Sequence, residues 1–310
     1  VEKIEELFTK LDAGEESLGK TRTLLKKYRQ SVLKAAVTGE LSREWREEHE
    51  GELEPAPELL ARILEERREK WTTDDVDKGL PQLPDQWVWT TIEQLGAVTG
   101  GITKNRQRAT LTRQLPYLRV ANVYANRLQL EDVVEIGVKE SELDRVLLRE
   151  GDLLIVEGNG SPDQIGRVAV WDGSVSPCVH QNHLIKVRLP MPKLSWWVLT
   201  WLLSAEGREH IRRVASSTSG LYTLSLSKVR NLAIPLPPLE EQTQILEELD
   251  RKLSIVDNLE ATIEENLKRS GSLRQSILKR AFSGRLVGQD AEDEPASALL
   301  RRVKVKKGEG

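Results

Sequence analysis

The chain has a single cysteine, Cys178, and nowhere a run of apolar residues near the ~18 needed to span a bilayer as a helix. An internal disulfide and a membrane-spanning helix are excluded on those grounds. It also lacks a basic-then-apolar leader pattern, so a cytoplasmic setting is expected. The first residue is Val1 rather than Met, which leaves open that the chain is a piece of something longer. Net positive charge is missing too, since 46 Lys+Arg stand against 49 Asp+Glu. For a nucleic-acid partner that average looks wrong, but it hides a segregated distribution.

Residues 1–71 carry 14 basic and 17 acidic side chains, 72–84 carry 1 and 3, 85–236 carry 18 and 15, and 237–310 carry 13 and 14. Only the middle is basic. Within it Lys104, Arg106, Arg108, Arg113, Arg119 and Arg127 fall between Glu93 and Glu131 with no acid among them. At 310 residues and roughly 150 per domain, more than one structural unit is expected.

An internal repeat sets the organisation. Residues 30–41, reading Gln-Ser-Val-Leu-Lys-Ala-Ala-Val-Thr-Gly-Glu-Leu, match 275–286, reading Gln-Ser-Ile-Leu-Lys-Arg-Ala-Phe-Ser-Gly-Arg-Leu. Further on, Glu54-Pro55-Ala56 with Leu59-Leu60 matches Glu294-Pro295-Ala296 with Leu299-Leu300. Upstream, Ile4, Leu11, Leu18, Leu25 and Val32 recur every seven residues, as do Leu249, Val256, Ile263, Ser270 and Ile277 in the second copy. The spacing predicts two long helices, each about 35 to 40 residues and stopped at Gly39 and Gly284, where glycine takes the left-handed conformation cheaply. A charged helix of that length needs a partner for its apolar seam, so the two are expected to pack antiparallel.

From Leu83-Pro84-Asp85-Gln86-Trp87 the pattern shifts to short strand-like runs bounded by Gly, Pro, Asn and Asp. Strands are expected at 117–123, 152–157, 165–171, 183–189 and 231–236. A helix is expected over 195–214, with Trp196, Trp197 and Trp201 on a core-facing side. The domain's loops are rich in groups that suit phosphates or base edges: 99–106, 119–122, 158–161 and 216–223. A solvated turn explains any one of them; their coincidence with the basic run is what points to nucleic acid.

Catalytic patterns are sparse. Gly100-Gly101-Ile102-Thr103-Lys104 lacks phosphate-loop spacing, and Leu236-Pro237-Pro238-Leu239 lacks the amide and the ring of an amino-group methylase tetrapeptide. Pro162-Asp163 resembles the start of a nuclease carboxylate motif, but Leu184 stands two residues before Lys186 where an acid would hold metal. Cys178, His180 and His183 are the one cluster of zinc-ligand type, with no obvious fourth ligand, and a strand would split them between two faces. No metal, no cofactor and no catalytic residue are expected.

The helix ending at 33–41, the Leu-Pro-Asp-Gln-Trp lead-in at 83–87, the Ile-Pro-Leu-Pro-Pro-Leu-Glu-Glu-Gln exit at 234–242 and the second helix ending at 278–286 resemble the DNA-specificity subunits of type I restriction-modification systems. The resemblance implies a non-catalytic adaptor. It would read one half of a split site on double-stranded DNA, and its helices would act as spacer and bind methyltransferase subunits, with restriction subunits joining through that core. The fold expected is α+β, a β-rich recognition domain at 83–236 flanked by two long helices packed as an antiparallel coiled coil. The spacer helices fall at 1–41 and 237–286, a helical connector at 42–82 and a tail at 287–310. The family's usual plan has two recognition domains, and this chain shows one. Either a domain once preceded Val1, or a second copy of the chain supplies the other half.

Residues expected at DNA are Gly101, Thr103, Lys104, Asn105, Arg106, Arg108, Arg119, Asn122, Asn159, Ser161, Arg167, Ser217, Ser219, Tyr222 and Thr223. Arg119 and Asn122 are assigned to base edges, the 103–108 loop and Ser219 to phosphates. Leu18, Leu25, Leu259 and Ile263 are expected to face methyltransferase helices. The rival class is a coiled-coil interaction module that binds no DNA.

Overall fold

The computed structural model describes residues 1–68, 80–159, 161, 164–218, 221–288, 292 and 294–306, with the backbone alone at 159, 216–218, 221 and 306. Its helices in chain order are α1 (Glu2–Val37), α2 (Arg43–Glu48), α3 (Ala56–Arg67), α4 (Ile92–Leu95), α5 (Leu143–Val146), α6 (Pro192–Leu203), α7 (Ala205–Val214), α8 (Leu226–Arg230), α9 (Leu239–Phe282) and α10 (Ala296–Lys306). Among the described residues no helix is long and apolar enough to cross a membrane. The chain forms two compact units, Tyr28–Ser254 and Val1–Lys27 with Ile255–Gly310.

The unit of 28–254 is built on a four-stranded antiparallel sheet, in the order Ala97–Thr99, Leu184–Arg188, Leu153–Val156, Val168–Val170. Its central runs are largely apolar because both faces are covered, with Lys186 the buried exception. Leu153, Ile155, Ile185 and Val187 enter one core with Trp197 and Trp201 of α6, and Leu154, Val156 and Leu184 enter another with Trp171 and Cys178. A second sheet, Val179–His180, Gln114–Leu118, Val134–Gly137, lies over a third core. The lead-in strand Val88–Thr91 pairs antiparallel with the exit strand Ala233–Leu236.

Two expected elements end early. The strand expected at 117–123 stops at Leu118, because Asn122 Oδ1 accepts from Arg119 N at 2.8 Å and closes a 3-10 turn over Val120–Asn122. The helix expected over 195–214 breaks at Ser204, whose Oγ accepts from Gly207 N at 3.0 Å and starts α7 afresh. Trp197 and Trp201 are buried as expected, but Trp196 faces solvent.

Where the domain meets the helix ends, one carboxylate is fully enclosed. Glu241, in the first turn of α9, has no exposed surface. It accepts from Ser42 Oγ at 2.6 Å, Arg46 Nη1 at 2.5 Å and Trp87 Nε1 at 2.8 Å. Those donors come from the segment after α1 and from the lead-in. Beside them Gly39 (φ +73°) is approached so closely that a Cβ there would lie 2.6 Å from Pro84 Cγ.

In the other unit, Asp12 and Glu15 of α1 bond Arg274 and Ser270 of α9 at 2.5 and 2.7 Å, and the Arg274 guanidinium lies 4.9 Å from the Phe8 ring centroid. Numbers rising on one helix meet numbers falling on the other, so these segments run antiparallel as expected. Val256, Ile263 and Ser270 keep the seven-residue spacing and are all buried. Ile263 is therefore withdrawn from the surface and corrects its assignment to partner docking. Leu18 and Leu25 are half-buried, and Leu259 is exposed.

Removing one partner of a buried ion pair leaves an uncompensated charge, so Glu241→Ala should cost about 3 to 5 kcal/mol in denaturant unfolding. Trp87→Phe, which deletes a single donor, should cost less. A Glu241→Ala protein as stable as its parent would show that the enclosed carboxylate holds nothing together.

His180 is buried, and burial together with the Lys186 charge pushes its pKa down to about 3. The unfolded chain takes up that proton near pH 6.5 while the folded one does not, so stability falls as pH drops from about 6.5 towards 3. His180→Gln should flatten the loss between pH 7 and pH 5 by about 2 kcal/mol; equal acid sensitivity in both proteins would contradict this.

Candidate nucleic-acid interface

The residues Gln181-Asn182-His183 form a hub that gathers the polar loops. Gln181 N donates to Leu118 O at 2.9 Å while its Oε1 accepts from Val120 N at 3.2 Å. Asn182 N donates to Ile102 O at 3.0 Å, and Ile102 N donates to His180 O at 2.8 Å. A Cβ on Gly101 would lie 2.1 Å from His180 O, so the backbone approach there needs glycine. His183 Nδ1 sits 2.9 Å from Glu157 Oε2, and Glu157 N donates to His183 O at 3.0 Å. Leu224 N bonds Glu157 O at 2.7 Å, and the short strands Gly158–Asn159 and Leu221–Thr223 pair antiparallel. Four loops distant in sequence thus share one edge of the domain.

Of the expected contact residues, Thr103, Lys104, Asn105 and Arg106 are exposed. Asn105 Oδ1 accepts from Arg108 N at 3.2 Å and starts the turn Arg106–Thr110. Lys104 and Arg106 have no acidic partner among the described residues. Tyr222 and Thr223 are half-buried on the paired strand, as is Ser161 in its loop. Ser217 and Asn159 enter through their backbone pairing with Tyr222. Ser219 lies outside the described residues, as do Pro162 and Asp163.

Three expected roles need correction. Arg108 is clamped to Glu142 at 2.6 and 3.1 Å and also donates to Thr103 O and Gly137 O, so it braces the loop from inside. The same contact holds the Glu142 carboxyl below the usual carboxylate range and raises Arg108. Asn122 is 3 % exposed, and its amide is spent on Arg119 N, Gln129 O and Asp132 O, which removes it from base reading. Arg119 pairs with Asp132 at 2.8 Å. With Arg113 bonded to Glu140 at 2.7 Å, half of the six-cation run is tied to acids from 132–142.

Beneath the loops, Lys186 is buried and donates to Arg145 O at 2.6 Å and Leu147 O at 3.1 Å. Burial and the Arg188 charge push it down to about 8. The Cys178 thiol is pushed up to about 12 by burial, and it lies in the core rather than beside the exposed His183. Among the described residues no three His, Cys, Asp or Glu side chains gather as a metal site. The edge offers exposed cations, amides and hydroxyls on a braced backbone, an arrangement suited to a polyanion.

Sequence reasoning had 180–183 entering a strand with its polar groups bonded to neighbouring loops, as the hub bonds have it, but missed how many loops meet there. It also missed Tyr124 and Arg208. Tyr124 carries both Arg127 and Arg167 over its ring, at 5.2 and 5.1 Å from the centroid. A Tyr three residues before an Arg across a two-residue turn is the one local signal that was available.

Residues 84–269 match the family described as type I restriction modification DNA specificity domain. The chain is 26 % identical to the type I restriction enzyme EcoKI specificity subunit of Escherichia coli over 319 residues, covering 99 % of this chain and 61 % of that protein. It is 27 % identical to the StySPI specificity subunit of Salmonella potsdam, again over 99 % of this chain and 61 % of the relative. This chain thus spans about 61 % of the length of these relatives. Its fold is similar to a chain of a solved structure described as "Structural basis underlying complex assembly and conformational transition of the type I R-M system", with a TM-score of 0.54 at 19 % identity, covering 91 % of this chain and 60 % of that one. With the family match extending over more than half of its length, the chain belongs to the type I restriction-modification DNA specificity family.

Proposed function

We propose that the chain reads one half of a bipartite site on double-stranded DNA and scaffolds methyltransferase subunits, with restriction subunits joining the same complex and the chemistry supplied by those partners. The observation that carries this is the convergence of the Gly101, Arg119, Gly158 and Tyr222 loops on the Gln181–His183 hub, with Lys104 and Arg106 exposed beside it. The recognition domain is assigned to 83–236 between spacer helices at 1–41 and 237–286. Pairing of Val88–Thr91 with Ala233–Leu236 supports those limits.

The repeat supports the second half-site. In α3, Leu59, Leu60 and Ile63 are buried in the core that holds Trp87, Ile92 and Leu95 of the recognition domain. Their counterparts in α10, Leu299, Leu300 and Val303, are 54 %, 59 % and 46 % exposed. A second recognition domain, carried by another copy of the chain or by a preceding segment, fits that stripe as the first fits α3. For methyltransferase docking, a groove of about 490 Å³ lined by Leu11, Gly14, Leu18, Ser270 and Leu273 supports the paired helices as the contact.

Arg106→Ala should weaken binding to all duplexes alike and lower the slope of log affinity against log salt by about one, since a lost phosphate contact frees one fewer counterion. Titration of the chain with its methyltransferase subunits against cognate and random duplexes measures both. An unchanged slope would remove Arg106 from the interface. No salt-sensitive binding at all would favour the interaction-module alternative, which the ion pairs of Arg108, Arg113 and Arg119 already make more than formal.

A further inference from the structure

A cavity of about 330 Å³ is lined by Tyr124, Ala125, Arg127, Gln164, Arg167, Leu203 and Arg208. Three guanidinium groups therefore face one small space, and among the described residues that line it there is no acid. Like charges gathered this way repel, and the geometry holds them there. The turn between Val123–Tyr124 and Arg127–Leu128 is pinned by Asn126 N donating to Val168 O at 2.9 Å, with Asn126 itself at φ +52°. That turn sets Tyr124 opposite Arg127, and the residue leading into Val168–Val170 sets Arg167 over the same ring. Arg167 Nη2 donates to Val120 O at 3.4 Å, while its Nε is buried without a partner. Arg208 is fixed by Ile165 O at 2.6 Å and Gly166 O at 3.1 Å.

Ion pairing separates two arginines of this pocket from several others of the domain. Arg108, Arg113, Arg119 and Arg188 each meet a carboxylate, whereas Arg127 and Arg167 meet none among the described residues. Asp172, which shares a neighbouring hollow with Arg127, accepts from Ser174 instead. A countercharge for Arg127 and Arg167 is the ligand this geometry suits. With two cations already over its ring, Tyr124 has little face left to stack a base, so the ligand is an anion rather than a nucleobase. Planar guanidinium groups in a fixed fork suit phosphate oxygens.

Building on the proposed reading of DNA, we infer that the Tyr124–Arg127–Arg167–Arg208 pocket seats one backbone phosphate of the bound duplex, next to the loops that read bases. Arg127 and Arg167 supply the charge and Tyr124 keeps their guanidinium groups in place. Arg208 closes the far wall.

The test uses the full chain with a random-sequence duplex pool, affinity being followed against salt, and Arg106→Ala as the comparison variant. Arg127→Gln and Arg167→Gln should each weaken binding on the order of three- to tenfold and reduce the salt slope by about one, while Arg127→Lys keeps the slope. Arg127 lies on the surface, so its variants keep the reading independent of folding defects at Arg167. Duplex binding that depends on Arg106 but is indifferent to both Gln variants overturns the pocket and leaves the DNA function standing. Absence of salt-sensitive duplex binding by the parent chain overturns both. A parallel arm adds inorganic phosphate or a nucleoside triphosphate and follows the thermal midpoint. Stabilisation by the triphosphate that Arg167→Gln abolishes, with duplex affinity unmoved, would assign the pocket to a free nucleotide and overturn the duplex phosphate.

Discussion

Burial of the Glu241 carboxylate constrains everything built around it. An ionised carboxylate removed from water is tolerated only when its oxygens are met by donors, and here three donors arrive from two distant segments: Ser42 and Arg46 from one, Trp87 from the other. Satisfying one side chain therefore requires the segment after α1, the domain's lead-in and the first turn of α9 to meet at one point. Adjacent features follow from that meeting. Gly39 must be glycine because Pro84 and Trp87 crowd it, and the lead-in strand is left beside the exit strand that feeds α9. The negative charge also sits at a helix N-terminus, where the backbone dipole favours it.

Much of this frame is legible in the chain. Seven-residue spacing located both long helices, and Gly39 and Gly284 marked their ends, each with positive φ. The apolar run at 153–156 and the largely apolar one at 184–187 read as strands, and each sends residues into two cores. Local polar chemistry was harder to see. Ser204 interrupts an apolar helical pattern because its hydroxyl caps the next helix, and periodicity carries no record of a cap inside a run. Glu241 stood in a recognised exit motif, yet nothing local says that a glutamate will be enclosed; only its three distant donors make that possible.

Charge was the property that linear reading handled least well. A stretch of six cations without an acid looks like a free basic patch, but its neutralising carboxylates lie just beyond the window, at Asp132, Glu140 and Glu142. Strand pairing and the turns after it carry those acids back onto the arginines. Asn122 went astray for a related reason: an amide suited to adenine is equally suited to closing its own turn, and the intramolecular partners are always present. Lys104 and Arg106 on the loop and Arg127 and Arg167 at the pocket are among the cations to which the fold brings no carboxylate among the described residues.

That division bears on how a chain of net charge −3 can meet a polyanion. At physiological ionic strength, charges more than about 8 Å apart are largely screened, so the sum over the whole chain has little bearing on a contact made by one edge. What counts there is the local surplus. Paired arginines contribute rigidity rather than attraction, because each already has its countercharge and would lose it to a phosphate only by exchange. On the proposed DNA reading, the braced loops would keep their shape without drawing DNA indiscriminately, and the pull would be left to a few cations whose positions the fold dictates. A protein that reads sequence would gain from that economy, because weak general attraction lets amide and hydroxyl contacts to base edges decide which duplex is held.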